Sequence, residues 1–173
     1  MKDVTDMQFR NEYMFLSNMY NKPVHMDIEG DHYTFKCAEA AFQAHKCISR
    51  AHEFEAMTGK EAKAAGKRVP LRRDWEYVKD DVMRSVINAK FQDPELRDRL
   101  KNIQGNICED NTWGDKYWGR CYGVGQNKLG QILMETRDNV TANKNVSKNV
   151  LPAKTINIPD NTVPSNESDI YIF

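Results

Sequence analysis

A chain of 173 residues is long enough for one domain with a sizeable core. Its 25 acidic residues balance its 25 Lys and Arg, which excludes a general nucleic-acid coat, since that role needs a strong basic surplus. No run approaches the roughly 18 apolar residues of a membrane span, and Met1-Lys2-Asp3-Val4-Thr5-Asp6 has no apolar signal core, so no membrane partner and a cytosolic location are expected.

Residues 7 to 35 read as short strands and loops dense in aromatics, among them Phe9, Tyr13, Phe15, Tyr20, Tyr33 and Phe35. Ile28-Glu29-Gly30-Asp31 reads as a turn entering a short strand that ends at Phe35. Residues 37 to 49 predict a first helix, because the run is rich in Ala and has no Pro or Gly. Thr58-Gly59-Lys60-Glu61 is a capping-box pattern, which opens a short helix over 59 to 65 that stops at Gly66. A basic linker, Lys67 to Arg73, follows. Asp74 then caps a long helix through Phe91, with Trp75, Val78, Val82, Val86 and Phe91 on its apolar face. Asp93-Pro94 starts another helix, with Leu96, Leu100 and Ile103 turned inward. Residues 104 to 126 predict a long loop, ordered by Trp113, Tyr117 and Trp118. Asn127 caps a last helix that buries Leu129, Ile132 and Leu133. From about Asn139 the composition turns to Asn, Lys, Ser, Pro and Thr. The division expected is a domain over 1–138 and an extended or disordered tail over 139–173, whose apolar end Ile170-Tyr171-Ile172-Phe173 can dock.

Four groups of residues can carry chemistry. Glu39, Gln43 and Lys46, spaced four and three apart, share one stripe of the first helix between small and aromatic neighbours. Such a stripe is a reactive constellation or simply a solvated face. Gly123-Val124-Gly125-Gln126-Asn127 leads into a helix, where free N–H groups suit an anion; a tight turn is the alternative. Trp113-Gly114-Asp115-Lys116-Tyr117-Trp118 sets a carboxylate between aromatic walls, or else anchors the loop. Lys67, Arg68, Arg72 and Arg73 form a basic cluster fit for phosphate or for solvent. Lys90, at the end of the long helix, offsets the helix dipole. The cysteines at 37, 47, 108 and 121 form no Cys-x-x-Cys pair, and the four histidines lack metal-motif spacing, so no metal site and no cofactor are expected.

Taken in order, these pieces resemble a known family. Phe15-Leu16-Ser17-Asn18, Glu39-Ala40-Ala41-Phe42-Gln43-Ala44-His45-Lys46, Ala62 to Val69, Arg73 to Lys79, Ala89-Lys90-Phe91, Glu109, Asp115, Trp118-Gly119 and Gly125 to Arg137 are similar to the NADAR, or YbiA-like, family over about residues 8 to 138. The resemblance implies one α+β domain, mainly helical, with a small β component near the N-terminus. It implies an N-glycosidase that hydrolyses ADP-ribose from guanine in nucleotide or nucleic acid. Alternatives are hydrolysis of riboflavin-pathway ribosylamine phosphates, and non-catalytic binding of ADP-ribose or NAD. Glu39 would be the general acid/base or steady the ribosyl cation, and Asp115 would hold ribose hydroxyls or share the acid role. Lys46 would orient Glu39, bind phosphate or attack the anomeric carbon, with Lys67 as the other candidate nucleophile. Asn18 would clamp ribose, Gln43 would bind substrate, Tyr117 and Trp118 would stack on a base, Arg68 would add a basic contact, and Gly125 and Asn127 would meet the diphosphate.

Overall fold

A computed structural model describes residues 9–147. The chain enters through a 3-10 turn, Asn11–Leu16, that buries Phe15 and Leu16. An antiparallel hairpin follows, β1 (Val24–Ile28) against β2 (Asp31–Phe35), in register from Val24 opposite Phe35 to Ile28 opposite Asp31. Its two-residue turn, Glu29-Gly30, has φ of 52° and 94°. Two positive φ values match the twist of the flanking strands. Val24, Ile28 and Phe35 face the core.

The first helix is shorter than its Ala-rich run suggests. α1 spans Ala38–Ala44, and a 3-10 turn over Ile48–Phe54 follows. The Lys46 carbonyl accepts the Arg72 N–H at 2.9 Å, and the Arg50 N–H goes to Cys47 O. A tertiary bond has taken the acceptor that a continuing helix would use. All seven residues of α1 are buried. α2 (Gly59–Ala65) opens on the expected capping box, with Thr58 Oγ1 accepting the Glu61 N–H and the Glu61 carboxylate accepting the Thr58 N–H. Gly66 ends it at a right-handed φ of −62°. The need for glycine there is steric, since an added Cβ would lie 1.9 Å from Gln43 Oε1.

α3 (Trp75–Lys90) buries Trp75, Val82, Met83, Val86 and Ile87. Asp74 sits at its N-cap, but the carboxylate pairs with Arg72 at 2.6 Å rather than capping the helix. Lys90 is not a solvated dipole partner. It is 1 % exposed, donates from Nζ to Ser17 O at 2.8 Å, and burial holds its proton affinity down to about 7. α4 (Pro94–Lys101) starts as predicted, Asp93 accepting the Leu96 N–H at 3.0 Å.

The stretch from 104 to 126 is not all loop. Two short parallel strands, β3 (Asp110–Asn111) and β4 (Arg120–Cys121), clip its ends together. α5 (Lys128–Ser147) packs on α3 and α4 through Leu129, Ile132 and Leu133. It runs past the composition change at Asn139, because 139 to 147 holds neither Pro nor Gly to interrupt the hydrogen-bond ladder. The rest of the expected tail, with Ile170 to Phe173, lies outside the described residues. One core serves these elements, and the architecture is the expected α+β, mainly helical domain with its hairpin near the N-terminus.

Candidate active site

The site is a cavity of about 440 Å³ between α1, α2, the start of α3 and the 109–118 segment. The α1 stripe opens into it. Glu39 and Gln43 are buried, and Gln43 Nε2 donates to Glu39 Oε1 at 2.8 Å. The start of α1 is held by the Ser17–Met19 turn, where Asn18 O accepts the Glu39 N–H at 2.9 Å. The Asn18 side chain lines the same cavity. Its Nδ2 rests on Met83 Sδ at 3.4 Å, and its buried Oδ1 has no hydrogen-bond partner among the described residues. A buried amide oxygen without a partner is unusual in a folded protein.

The opposite wall comes from the 109–118 segment, where side-chain-to-backbone bonds replace a helix. Asn111 clamps Asp115, taking its N–H at 3.1 Å and donating to its carbonyl at 2.7 Å. The Asp115 Oδ1 in turn accepts the N–H groups of Tyr117 and Trp118, both at 2.9 Å. Glu109 is set by Asn127, whose Oδ1 accepts the Glu109 N–H at 3.1 Å while Nδ2 donates to Ile107 O at 2.9 Å. Aromatic rings line the rest. Phe42 packs on Trp75 at 5.1 Å between centroids and edge-on to Trp118 at 5.4 Å. Tyr117 stands edge-on to Trp118 at 5.0 Å.

Glu39, Lys46 and Glu109 are shifted from their ordinary values. Burial raises the proton affinity of Glu39, opposed by the Gln43 hydrogen bond, Lys63 and Lys46. Glu109 is pushed up to about 7, first by burial and then by the charges of Asp115 and Glu39. Lys46 shifts down through burial and the repulsion of Lys63 and Lys67, although Glu39 pulls the other way. Burial thus favours the neutral form of both carboxyls and of the Lys46 amine.

The structure brings together Asn18, Glu39, Gln43, Lys46, Asp115, Tyr117 and Trp118. Tyr117 is partly committed elsewhere. Its hydroxyl donates to Asp80 at 2.6 Å, and burial, that bond and the charges of Asp80 and Glu76 hold its proton up to about 12, while Lys79 covers its ring at 4.1 Å. Four expected contacts fall outside the cavity. Lys67 and Arg68 are exposed beyond α2, and Lys67 reaches the site through its charge on Lys46. Gly125 is a close approach of backbone, since a Cβ there would lie 2.4 Å from Gly119 O. Asn127 uses its side chain to hold Glu109 and Ile107 rather than to face an anion. Glu109, Lys63 and Trp75 are cavity residues not expected in the site, and Trp113, one of the expected aromatic walls, is an exposed rim residue. The signal for Lys63 was its place three residues after Lys60 on the capped helix.

Comparison with known proteins matches this architecture to one family. The NADAR domain model covers residues 6–141, and the chain belongs to that family. It is 33% identical to N-glycosidase YbiA of Escherichia coli (strain K12) over 141 residues, which is 78% of this chain and 86% of that one. It is 31% identical over 132 residues to a maize (Zea mays) riboflavin biosynthesis protein, PYRR, chloroplastic, covering 66% of this chain and 21% of that one. The NMR structure of the E. coli YbiA protein superposes with a TM-score of 0.69 at 32% identity, over 83% of this chain and 89% of that one. Among the described residues, no group of three or more His, Cys, Asp or Glu is arranged to hold a metal ion, and no helix is long and apolar enough to cross a membrane.

Proposed function

We propose that this cavity hydrolyses the base–ribose bond of ADP-ribosylated guanine, carried on a nucleotide or a nucleic acid. At the coarser level, kinship with an N-glycosidase over most of both chains makes the protein a hydrolase of N-glycosyl compounds. The observation that supports the finer reading is the convergence of Glu39, Glu109 and Asp115 with Lys46 in one aromatic-walled cavity.

Cleaving an N-glycosidic bond builds positive charge on the ribose and leaves a base that must take up a proton. Glu109, which keeps its proton up to about 7, is suited to supply it. Glu39 lies in the buried half of the cavity, where its carboxylate can face the developing cation or draw a proton from the attacking water. Asp115 is fixed by two main-chain N–H groups and can accept from ribose hydroxyls. The Asn18 Oδ1 offers a second acceptor. Trp118 and Trp75 give apolar faces for the base. In the covalent variant the neutral Lys46 amine attacks C1′ and the protonated base departs. The ring C–O bond then opens to leave an imine, which water hydrolyses back to amine and ribose.

A second substrate, a phosphorylated ribosylamine of riboflavin synthesis, has the maize relative behind it. Rates on an oligonucleotide bearing ADP-ribosyl-guanine and on a free phosphoribosylamine decide between them. Faster release of guanine supports the first reading, and turnover of the ribosylamine alone overturns it. Tight binding without turnover of either substrate would make the protein a binding module. Borohydride added during turnover should leave a sugar adduct on Lys46, and an unmodified protein mass rejects the imine.

A further inference from the structure

We infer that a second cavity, beside the first and behind Met19, is the subsite for the phosphate-bearing distal half of a two-part substrate; this rests on the N-glycosidase reading above. The first cavity is small for such a molecule. About 440 Å³ is near the lower end of ligand pockets, which run from roughly 300 to 1,000 Å³. It is also the wrong place for phosphate. Glu39, Glu76, Glu109 and Asp115 line it, against Lys46, Lys63 and Lys79, and Lys79 is already paired with Glu76. A diphosphate there would lie against the Asp115 carboxylate and Glu39.

The second cavity, of about 430 Å³, has the opposite character. Met19, Asn21, Cys37, Thr58 and Gly59 line it together with two lysines, Lys36 and Lys60. No carboxylate lines it. The neighbouring Glu61 turns its carboxylate to the N–H and hydroxyl of Thr58, at 2.7 and 2.8 Å.

One side chain is shared, since Met19 lines both cavities. Its Sδ lies where a Cβ on residue 59 would come within 2.4 Å, so Gly59 makes the room that Met19 occupies. An unbranched thioether with three rotatable bonds can swing aside at low cost. The lysines continue across the junction. Lys60 and Lys63, three apart on α2, share a face, one in each cavity. Ribose and its reacting base would sit in the acidic cavity, and the chain of phosphates would pass Lys63 to Lys60 and Lys36. The distal nucleoside would lie on Met19 and the lysine stems.

Calorimetry with ADP-ribose and with ribose 5-phosphate tests this. The wild-type protein should prefer ADP-ribose. Lys36→Glu with Lys60→Glu, both at exposed positions, should weaken ADP-ribose by at least roughly tenfold, the loss of one charge-assisted contact. Ribose 5-phosphate affinity should stay the same. Met19→Trp, which fills the junction, should erase the preference as well. In hydrolysis of ADP-ribosyl-guanine the double variant should raise KM and keep kcat. Equal weakening of both ligands, no weakening, or no preference in the wild type overturns the subsite. If the binding pattern holds but no substrate is hydrolysed, the subsite stands and the N-glycosidase reading falls. If hydrolysis proceeds and charge reversal leaves KM alone, the subsite alone falls.

Discussion

The two halves of the acidic cavity are held in different ways. Glu39, Gln43 and Lys63 project from helices, so their mutual placement follows from helical register and from the close contact of α1 with α2 at Gly66. Glu109, Asp115 and Trp118 come from a segment with only two short strands, and each is placed by a named side chain: Asn127 for Glu109, Asn111 for Asp115 and Asp115 for Trp118. The helical half is made rigid by packing, the other by hydrogen bonds that depend on single side chains. Polar residues such as Asn111 and Asn127 are therefore as decisive for the geometry as the acids they hold.

The largest effect should come from the helical half. Glu39→Gln keeps the shape and removes the charge, and kcat should fall roughly 100- to 10,000-fold, the range for a group that moves a proton or steadies charge. Full activity at an unchanged melting temperature would remove Glu39 from the chemistry. Gly66→Ala tests the packing itself. The added methyl must displace Gln43 Oε1, so we expect about 1–3 kcal/mol of destabilisation in denaturant melts and a drop in kcat as Gln43 leaves Glu39. A stable, active variant would show that the α1–α2 contact does not set the stripe.

Asn127→Ala attacks the other half. It leaves the Glu109 N–H and the Ile107 carbonyl without their partner and puts Ala at a φ of 52°, at a cost of about 1–3 kcal/mol. Its loss of kcat should exceed that of an equally destabilising core variant; equal losses would mean that Glu109 needs no such positioning.

Glu109→Gln should reveal its burial through pH. The folded protein holds the Glu109 proton up to about 7, against an ordinary 4.5. The wild type is thus relatively most stable below 4.5 and loses that share as pH rises through about 7. The advantage of the Gln variant should grow between those limits, on the order of 1–3 kcal/mol, and level off above them. A pH-independent difference in melting temperature would show that the carboxyl is not desolvated. The smallest effect belongs to Lys67→Ala, which should leave stability within about 0.5 kcal/mol and KM within about twofold. A larger rise in KM would return Lys67 to the substrate contacts.

The same contrast explains what the sequence revealed. The hairpin at Glu29-Gly30, the capping box at Thr58 and the start at Asp93-Pro94 are local, with the bonding groups a few residues apart. The Glu39–Gln43 pair was legible for the same reason, whereas Lys46, expected on the same helix, lies past the end of α1 at Ala44. Asn127 looked like a helix cap because only its position before α5 is visible in the sequence, while its partners lie 18 and 20 residues away. Lys90 looked like a surface cation at a helix end, and its acceptor is 73 residues distant. Glu109 carries no local signal of burial. The end of α1 was misread because Arg72, far along the chain, takes the Lys46 carbonyl.

The shortness of α1 has a further consequence. At seven residues it is well below the roughly 12–15 that an isolated helix needs to persist in water. Its first turn leans on Asn18, and its end is interrupted by Arg72. The alignment of Glu39 with Gln43 is therefore a property of the assembled domain. A peptide copied from this region would be a coil without a site. Enzymatic activity should then melt together with the circular dichroism of the whole domain, so that a simple turnover assay doubles as a probe of global folding.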